Sequence, residues 1–396
     1  MEYSQNARLV LQCLRRHGEL SRAEISRMTG LSAQTASVLM NKLLKDELVV
    51  ETHKRYGSIG KPATQIQLNP QGAYSLGIKL GRKDITIVLV DFTGVVIDRV
   101  FLQQDLSQPE AEMELILQQS NQLFSNNPGS ALRLAGIGVA APFRLEAWHN
   151  ELGLDQETSD RLAAWAGFDV VDALEQSFGC DVFMENDGTA AAIAEMLFGV
   201  GKRVNNFVYL FLDVVIGGGI VCDGDILRGT NSNAGDLALM RIGSPGQSSL
   251  LLEHASLFLL LNKLSKAGIE KPKITQLSED SSEQRQIFDQ WVEQAAQALS
   301  LAVINIHSLL DTEAVVLASR LPRELMQYFI QRMEVMLEQE HQLDPGQNLP
   351  KLLEGENRSD VHALGAAMVP YYHRYATTSS ILPRQTFQIP THLSTF

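Results

Sequence analysis

Cysteine and long apolar runs are both scarce in this chain. The 396 residues include three cysteines, Cys13, Cys180 and Cys222, and no two of them are closely spaced. This excludes a disulfide framework and a cysteine-rich metal site. No apolar run is long enough to span a bilayer, and the first residues lack the order of a signal peptide. We therefore expect a cytoplasmic protein that does not enter the membrane.

Cationic side chains are also few, but they are unevenly distributed. The chain has 33 Lys and Arg against 46 Asp and Glu, a net charge of -13. Residues 1–70 hold 10 Lys and Arg against 6 Asp and Glu, a balance of +4, which leaves 23 against 40, or -17, for residues 71–396. Only residues 1–70 have the positive net charge that DNA binding requires. The length itself predicts two or three domains.

Residues 6–46 have the pattern of three short helices. Apolar residues recur on one face of residues 6–16, which predicts the first helix. Ser21 and Glu24 form a capping-box signature, so a second helix should start directly after Ser21. After a short glycine-containing turn, Ser32 can cap the third. This order is typical of a helix-turn-helix unit.

The third helix is the predicted recognition helix, because small polar side chains remain on its outer side near its start. A basic, glycine-containing loop at residues 53–62 lies between two apolar stretches and predicts a hairpin wing. A protein-docking module can have the same shape. The local positive charge and the basic wing favour double-stranded DNA. The predicted DNA contacts are Ser32, Gln34, Thr35, Ser37, Asn41 and Lys61.

From residue 71 onwards, predicted strands alternate with helices. Residues 76–97 and 207–227 each contain apolar runs joined by glycine-containing turns, which predicts two related α/β lobes with a cleft between them. Clefts of this kind usually bind ligands. The glycine run at residues 217–219 fits either a close approach to phosphate or a bend in a strand.

Two short polar segments could supply ligand contacts. Asn186 and Asp187 lie where a short strand meets a helix, and an amide beside a carboxylate can bind adjacent sugar hydroxyls. Asp187 can equally cap the helix that follows. Asp236 ends a polar loop that can be either part of a binding site or a surface turn.

In their order along the chain, these stretches resemble the ROK family, which comprises sugar-responsive repressors and sugar kinases. Residues 6–62 resemble the winged helix of the repressor branch. The later motifs in the series are Gly136-Ile137-Gly138-Val139, Trp165, Glu185-Asn186-Asp187, Gly217-Gly218-Gly219, Leu227-Arg228-Gly229, Asn233-Ala234-Gly235 and Gly365-Ala366-Ala367. An ordered series is more specific than any one of its members.

The resemblance implies an α/β fold in which an N-terminal winged helix-turn-helix is followed by a two-lobed, actin-like and ribonuclease-H-like sugar-kinase fold. The implied domains are a DNA-binding domain at 1–70, lobe 1 at 71–185, lobe 2 at 186–378 with a helix from about 360–378 returning to lobe 1, and a C-terminal tail at 379–396.

The departures from the family pattern concern catalysis. Lys79 stands where family kinases have the first acidic residue of a phosphate loop, and Asp213-Val214-Val215 replaces a Gly-Thr-Gly loop. Leu239 replaces a histidine of the family's zinc site. Asp187 keeps the position of the catalytic base. Since phosphoryl transfer depends on positioning and charge stabilisation, these changes imply an inactive kinase with no metal and no cofactor.

The sequence thus predicts a transcriptional regulator, a repressor, of carbohydrate-related genes. Its expected partners are double-stranded operator DNA and a second copy of itself, as a homodimer or a dimer of dimers. A sugar or sugar-phosphate effector is expected to contact Asn186, Asp187 and Asp236, and the basic turn with Lys79, Arg82 and Lys83 can accept a phosphate or remain solvated. Two alternatives are a sugar kinase with an attached DNA-binding domain and a regulator controlled by a partner protein.

Overall fold

The structure, a computed structural model, describes residues 3–55, 63–82, 84–103, 105–106, 108–142, 156–243, 246, 248–269, 274, 277, 282–341, 348–355 and 360–376. The helices in these ranges are α1 (Gln5–His17), α2 (Arg22–Thr29), α3 (Ala33–Lys45), α4 (Pro109–Asn126), α5 (Gln156–Ala163), α6 (Val170–Phe178), α7 (Asp187–Phe198), α8 (Leu252–Ala255), α9 (Leu257–Lys266), α10 (Ser282–Leu310), α11 (Arg323–His341) and α12 (Val361–Tyr375). None of these helices combines the length and apolar character needed to cross a membrane.

The strands in the same ranges are β1 (Leu20–Ser21), β2 (Val49–Arg55), β3 (Ala63–Leu68), β4 (Tyr74–Leu80), β5 (Ile85–Asp91), β6 (Val96–Leu102), β7 (Leu134–Ala141), β8 (Val182–Asn186), β9 (Phe207–Leu212), β10 (Gly217–Cys222), β11 (Asp225–Leu227), β12 (Arg241–Ile242), β13 (Ser249–Leu250), β14 (Ala314–Ser319) and β15 (Lys351–Glu354).

The first three helices form because each has its own start signal. Ser21 accepts a hydrogen bond from the Glu24 amide while the Glu24 carboxylate accepts one from the Ser21 amide, which completes the predicted capping box. Ser32 caps α3 as predicted. Strands β2 and β3 pair antiparallel, with β1 on the other side of β3. The predicted winged helix-turn-helix is therefore confirmed as a fold, and the wing tip at 56–62 is outside the described residues.

Two five-stranded sheets repeat one topology in the rest of the chain. The first has the order β6-β5-β4-β7-β8 and the second β11-β10-β9-β14-β15. In each, three consecutive strands form an antiparallel meander, the first of them pairs in parallel with a later strand, and that strand pairs in parallel with the last. The prediction of two related α/β lobes is confirmed by this repeat.

Helices α7 and α12 pack together, and α12 also lies across β4 and β7. Glycines permit this close approach. A Cβ on Gly77 would lie 2.0 Å from the Ala363 carbonyl oxygen, one on Gly138 would lie 1.8 Å from that of Ala366, and one on Gly365 would lie 1.6 Å from that of Ala190. Since no other residue avoids such clashes, the glycines set the distance between these backbones.

Candidate functional site

The outer face of α3 combines polar and apolar side chains. Gln34, Val38 and Asn41 are all exposed, and Val38 is 64% exposed. Spacings of four and three residues place them on one side of the helix. Sequence reasoning included the two amides and missed Val38, although its place between them on the helix was a usable signal.

Arg22 connects the start of α2 to this face of α3. Its Nη1 donates to the Asn41 Oδ1 atom at 3.0 Å and to the Ser37 carbonyl oxygen at 3.3 Å. Its Nη2 lies 3.2 Å from the Glu51 Oε1 atom on β2. The Asn41 side chain is therefore held in place before any DNA is present.

The other predicted DNA contacts have different surroundings. Ser32 and Thr35 are occupied with each other, since the Ser32 Oγ atom accepts from the Thr35 amide at 3.1 Å and lies 2.8 Å from the Thr35 Oγ1 atom. Ser37 is half-buried, and Lys61 is outside the described residues. All six remain predicted DNA contacts, and Ser32, Gln34 and Asn41 are the exposed ones among those described.

The winged helix is docked on the rest of the chain through α1. Arg15 places its guanidinium 5.1 Å from the Phe92 ring centre and 5.6 Å from that of Tyr371 on α12. Arg8 donates to the carbonyl oxygens of His373 and Ala376 at 3.3 Å each. These contacts join the DNA-binding unit to the C-terminal end of α12.

The corner between β8 and α7 contradicts one of the two interpretations of Asp187. Asn186, not Asp187, caps α7: its Oδ1 atom accepts from the amides of Gly188 at 3.0 Å and Thr189 at 3.3 Å. Asp187 is the first helical residue, and its Oδ1 atom accepts a hydrogen bond from the Gly188 amide at 2.8 Å. Burial raises the pKa of Asp187, while the Gly188 amide and the nearby Lys79 and Arg82 act against that rise.

The glycine run explains how the two predicted ligand segments come together. A Cβ on Gly188 would lie 2.5 Å from the Gly218 backbone, and one on Gly218 would lie 2.7 Å from the Gly235 carbonyl oxygen. Gly188, which follows Asp187, and Gly235, which precedes Asp236, thus both pack against Gly218. Asp236 is exposed and accepts a hydrogen bond from the Asn233 Nδ2 atom at 3.0 Å.

Four charged residues form a continuous chain between the two sheets, which we call the ion-pair chain: Lys79, Asp84, Arg320 and Asp213. Lys79 Nζ lies 2.7 Å from the Asp84 Oδ1 atom. Arg320 Nη2 lies 3.2 Å from the Asp84 Oδ2 atom, and its Nε lies 3.0 Å from the Asp213 Oδ2 atom. Lys79 and Asp84 belong to the first sheet and its turn, whereas Asp213 and Arg320 follow two parallel strands of the second.

Lys79, Asp84 and Asp213 are largely shielded from water, whereas the Arg320 side chain is 42% exposed, so the charges act most strongly at the Lys79–Asp84 pair. Burial acts to raise the pKa of Asp84, but Lys79 and Arg320 together bring it below its usual value. Burial also acts to lower the pKa of Arg320, and Asp213 and Asp84 reverse this. The sequence left Lys79 as either part of an anion-accepting turn or a solvated charge; the structure pairs it with Asp84, and Lys83 lies outside the described residues.

A second buried ion pair joins the two polar segments. Glu185, at the end of β8, is paired with Arg228, which follows β11, and both side chains are almost completely buried. Burial raises the pKa of Glu185, and Arg228 opposes that rise. Sequence reasoning identified both residues within motifs but did not pair them, because they are 43 positions apart.

Comparisons with known proteins agree with this architecture. Residues 75–370 match the ROK family, and residues 4–50 match the family described as winged helix-turn-helix DNA-binding. A xylose repressor of Bacillus spizizenii is 28% identical over 241 residues, which is 61% of this chain and 61% of that protein. The matched part thus spans less than two-thirds of the repressor.

Two solved structures share the fold. The crystal structure of a ROK family transcriptional regulator, a homologue of the Escherichia coli Mlc protein, has a TM-score of 0.66 at 22% identity and covers 93% of this chain and 95% of that one. A ROK hexokinase from Thermus thermophilus has a TM-score of 0.57 at 21% identity, covering 76% of this chain and 98% of its own. Because the family match covers most of the sequence, from the first body strand to the last helix, this chain belongs to the ROK family.

Proposed function

We propose that this protein is a DNA-binding transcriptional repressor of carbohydrate-related genes. The main observation is the exposed face of α3 on a domain whose charge is opposite to that of the rest of the chain. A cationic domain gains affinity by neutralising phosphates, while an anionic body gains none. The similarity to a xylose repressor favours carbohydrate genes as the target. Binding to chromosomal DNA implies a cytoplasmic site of action.

We further propose that the kinase-like body has no phosphoryl-transfer activity. The family resemblance sets Lys79 and Asp213 at the two loops that bind ATP phosphates in kinases. Here the cations beside these loops already have carboxylate partners in the ion-pair chain. A triphosphate entering this region would meet Asp84 and Asp213 and would have to separate the buried Lys79–Asp84 ion pair, which is costly.

The body is then a sensor that occupies residues 71–378. Asp187, Asp236 and the Nδ2 atom of Asn186 are the proposed contacts for the hydroxyl groups of a sugar, the Asn186 oxygen being used in the helix cap. Because Asp84 neutralises Lys79, an uncharged sugar fits better than a sugar phosphate. Two copies would bind operator half-sites about one helical turn (~34 Å) or a multiple apart, and ligand binding would alter that spacing.

One purified preparation tests the proposal in two ways. We expect the protein to retard duplex DNA from upstream of its own gene in gel-shift assays and the affinity to fall steeply as salt rises, because phosphate contacts release counterions. With Mg-ATP and a panel of hexoses and amino sugars, no turnover is expected.

The alternatives give different results in the same assays. Sugar turnover that disappears in Asp187→Ala, with no retardation of DNA, would mean that the protein is a kinase. DNA binding that no sugar alters, together with no thermal stabilisation by any sugar, would favour control by a partner protein. A ligand at a hundredfold excess over its dissociation constant stabilises its target by about 2.7 kcal/mol.

A further inference from the structure

We infer that Val38 and Asn41 together recognise a thymine base in the major groove, and that Arg22 positions Asn41 for this contact. This inference rests on the proposed DNA binding and extends it to a specificity-determining pair. The residues lie three positions apart on the exposed side of α3. In a helix, that spacing brings two side chains next to each other.

Arg22 determines which atom Asn41 presents. A guanidinium group has only donors, so the Asn41 oxygen must face Arg22 and the Nδ2 group must point elsewhere. The distance of 3.0 Å and the second anchor of Arg22 on Glu51 keep this orientation. An unrestrained asparagine can pair with adenine through its oxygen and its nitrogen together. With the oxygen engaged, Asn41 presents a donor and therefore favours a base with an acceptor.

Val38 supplies the second half of the recognition. Adenine, guanine and thymine all present acceptors in the major groove, but only thymine combines an acceptor, O4, with a methyl group. Val38 adds an apolar side chain beside the Asn41 donor. An exposed β-branched residue gains nothing from burial in the free protein and has a lower helix propensity than alanine. Its position is therefore explained by contact with DNA better than by stability.

The test starts with the full-length chain and a library of random duplexes, from which the bound sequence is selected. Each thymine of that sequence is then replaced by deoxyuridine, which lacks only the methyl group. We expect one replacement in each half-site to weaken binding about fourfold, the effect of losing one buried methyl-sized contact. Replacements elsewhere should have no effect of this size.

Two alanine variants identify the side chain that senses the methyl group. Val38→Ala should bind thymine DNA about fourfold more weakly for each occupied half-site, or about sixteenfold for two copies, and should no longer distinguish thymine from deoxyuridine. Alanine stabilises an exposed helix position, so the variant should fold. Met28→Ala is the matched control, because Met28 is another exposed apolar residue of the same domain, on α2, and is 47% exposed. Met28→Ala should keep the wild-type ratio of the affinities for thymine DNA and deoxyuridine DNA.

Arg22→Ala tests the positioning role through base preference rather than affinity. With its oxygen released, Asn41 should accept adenine at the position where wild type selects thymine. The inference is overturned if deoxyuridine is tolerated everywhere, or if Val38→Ala loses the same affinity on both DNAs. Failure to select any sequence would instead overturn the proposed DNA binding, so the two failures are distinguishable.

Discussion

At the scale of single residues, His362 shows how the body sets a protonation state. It lies in the first turn of α12, with its ring centre 4.8 Å from that of Phe211 in an edge-on arrangement. Burial holds the pKa of His362 well below its usual value, and the positive charges of Lys79 and Arg320 add to this effect. The histidine is therefore neutral in the folded chain at physiological pH, and protonation is accessible mainly after unfolding.

This difference predicts a pH dependence of stability. Below about pH 6.5 the unfolded chain binds a proton at His362, whereas the folded chain does not. The free energy of unfolding should therefore fall by about 1.4 kcal/mol for each further decrease of one pH unit. Above that pH the contribution of His362 to the free energy of unfolding does not change with pH. In His362→Phe, which keeps an aromatic ring against Phe211, this part of the slope should disappear. Urea unfolding of both proteins at pH 7.5, 6.5 and 5.5 measures it, and equal slopes would contradict the assignment.

At the scale of secondary structure, the crossing of α7 and α12 depends on Gly365. No side chain fits there, because its Cβ would overlap the backbone of Ala190. Helix α7 begins at the proposed sugar contacts and α12 reaches from the ion-pair chain to α1, so this crossing links the proposed sensor site to the DNA-binding unit. A rigid crossing transmits a displacement of α7 to α12 better than a loose one does.

Gly365→Ala should therefore separate the two helices and destabilise the fold by about 1–3 kcal/mol or more. Gly217→Ala is a suitable control, since a Cβ there would find its nearest neighbour at 3.8 Å, an ordinary contact. Thermal unfolding of the two variants provides the comparison. Equal melting temperatures would show that the α7–α12 crossing tolerates a methyl group.

Elements with local signals could be predicted from the sequence, whereas long-range pairings could not. Ser21, Glu24 and Ser32 marked the starts of α2 and α3 because a cap involves residues only a few positions apart. The cap of α7 was offered to Asp187, whereas its neighbour Asn186 makes it; Asn and Asp are equally good caps, so the sequence does not choose between them. The pairing of Asp84 with Arg320 could not be predicted, because the two residues are 236 positions apart and no local pattern links them.

At the scale of the whole molecule, the DNA-binding unit and the body share one buried apolar cluster. It includes Val10 and Leu14 of α1, Phe92 after β5, and Tyr371 and Tyr375 of α12. A shared core means that the orientation of the winged helix depends on the position of α12. In a two-copy repressor, that orientation would set the distance between the two recognition helices.

Arg15 is the residue on which to test this coupling. Its guanidinium lies over two aromatic rings of the body, a favourable arrangement for a cation removed from water. Arg15→Ala should leave a gap there and loosen the winged helix by about 1–3 kcal/mol, so that calorimetry shows a separate early transition for this unit. Arg16→Ala, an exposed neighbour on α1, should melt like wild type. If both variants melt alike, the cation over the two rings does not hold the domains together, and coupling would have to pass through other contacts of α1.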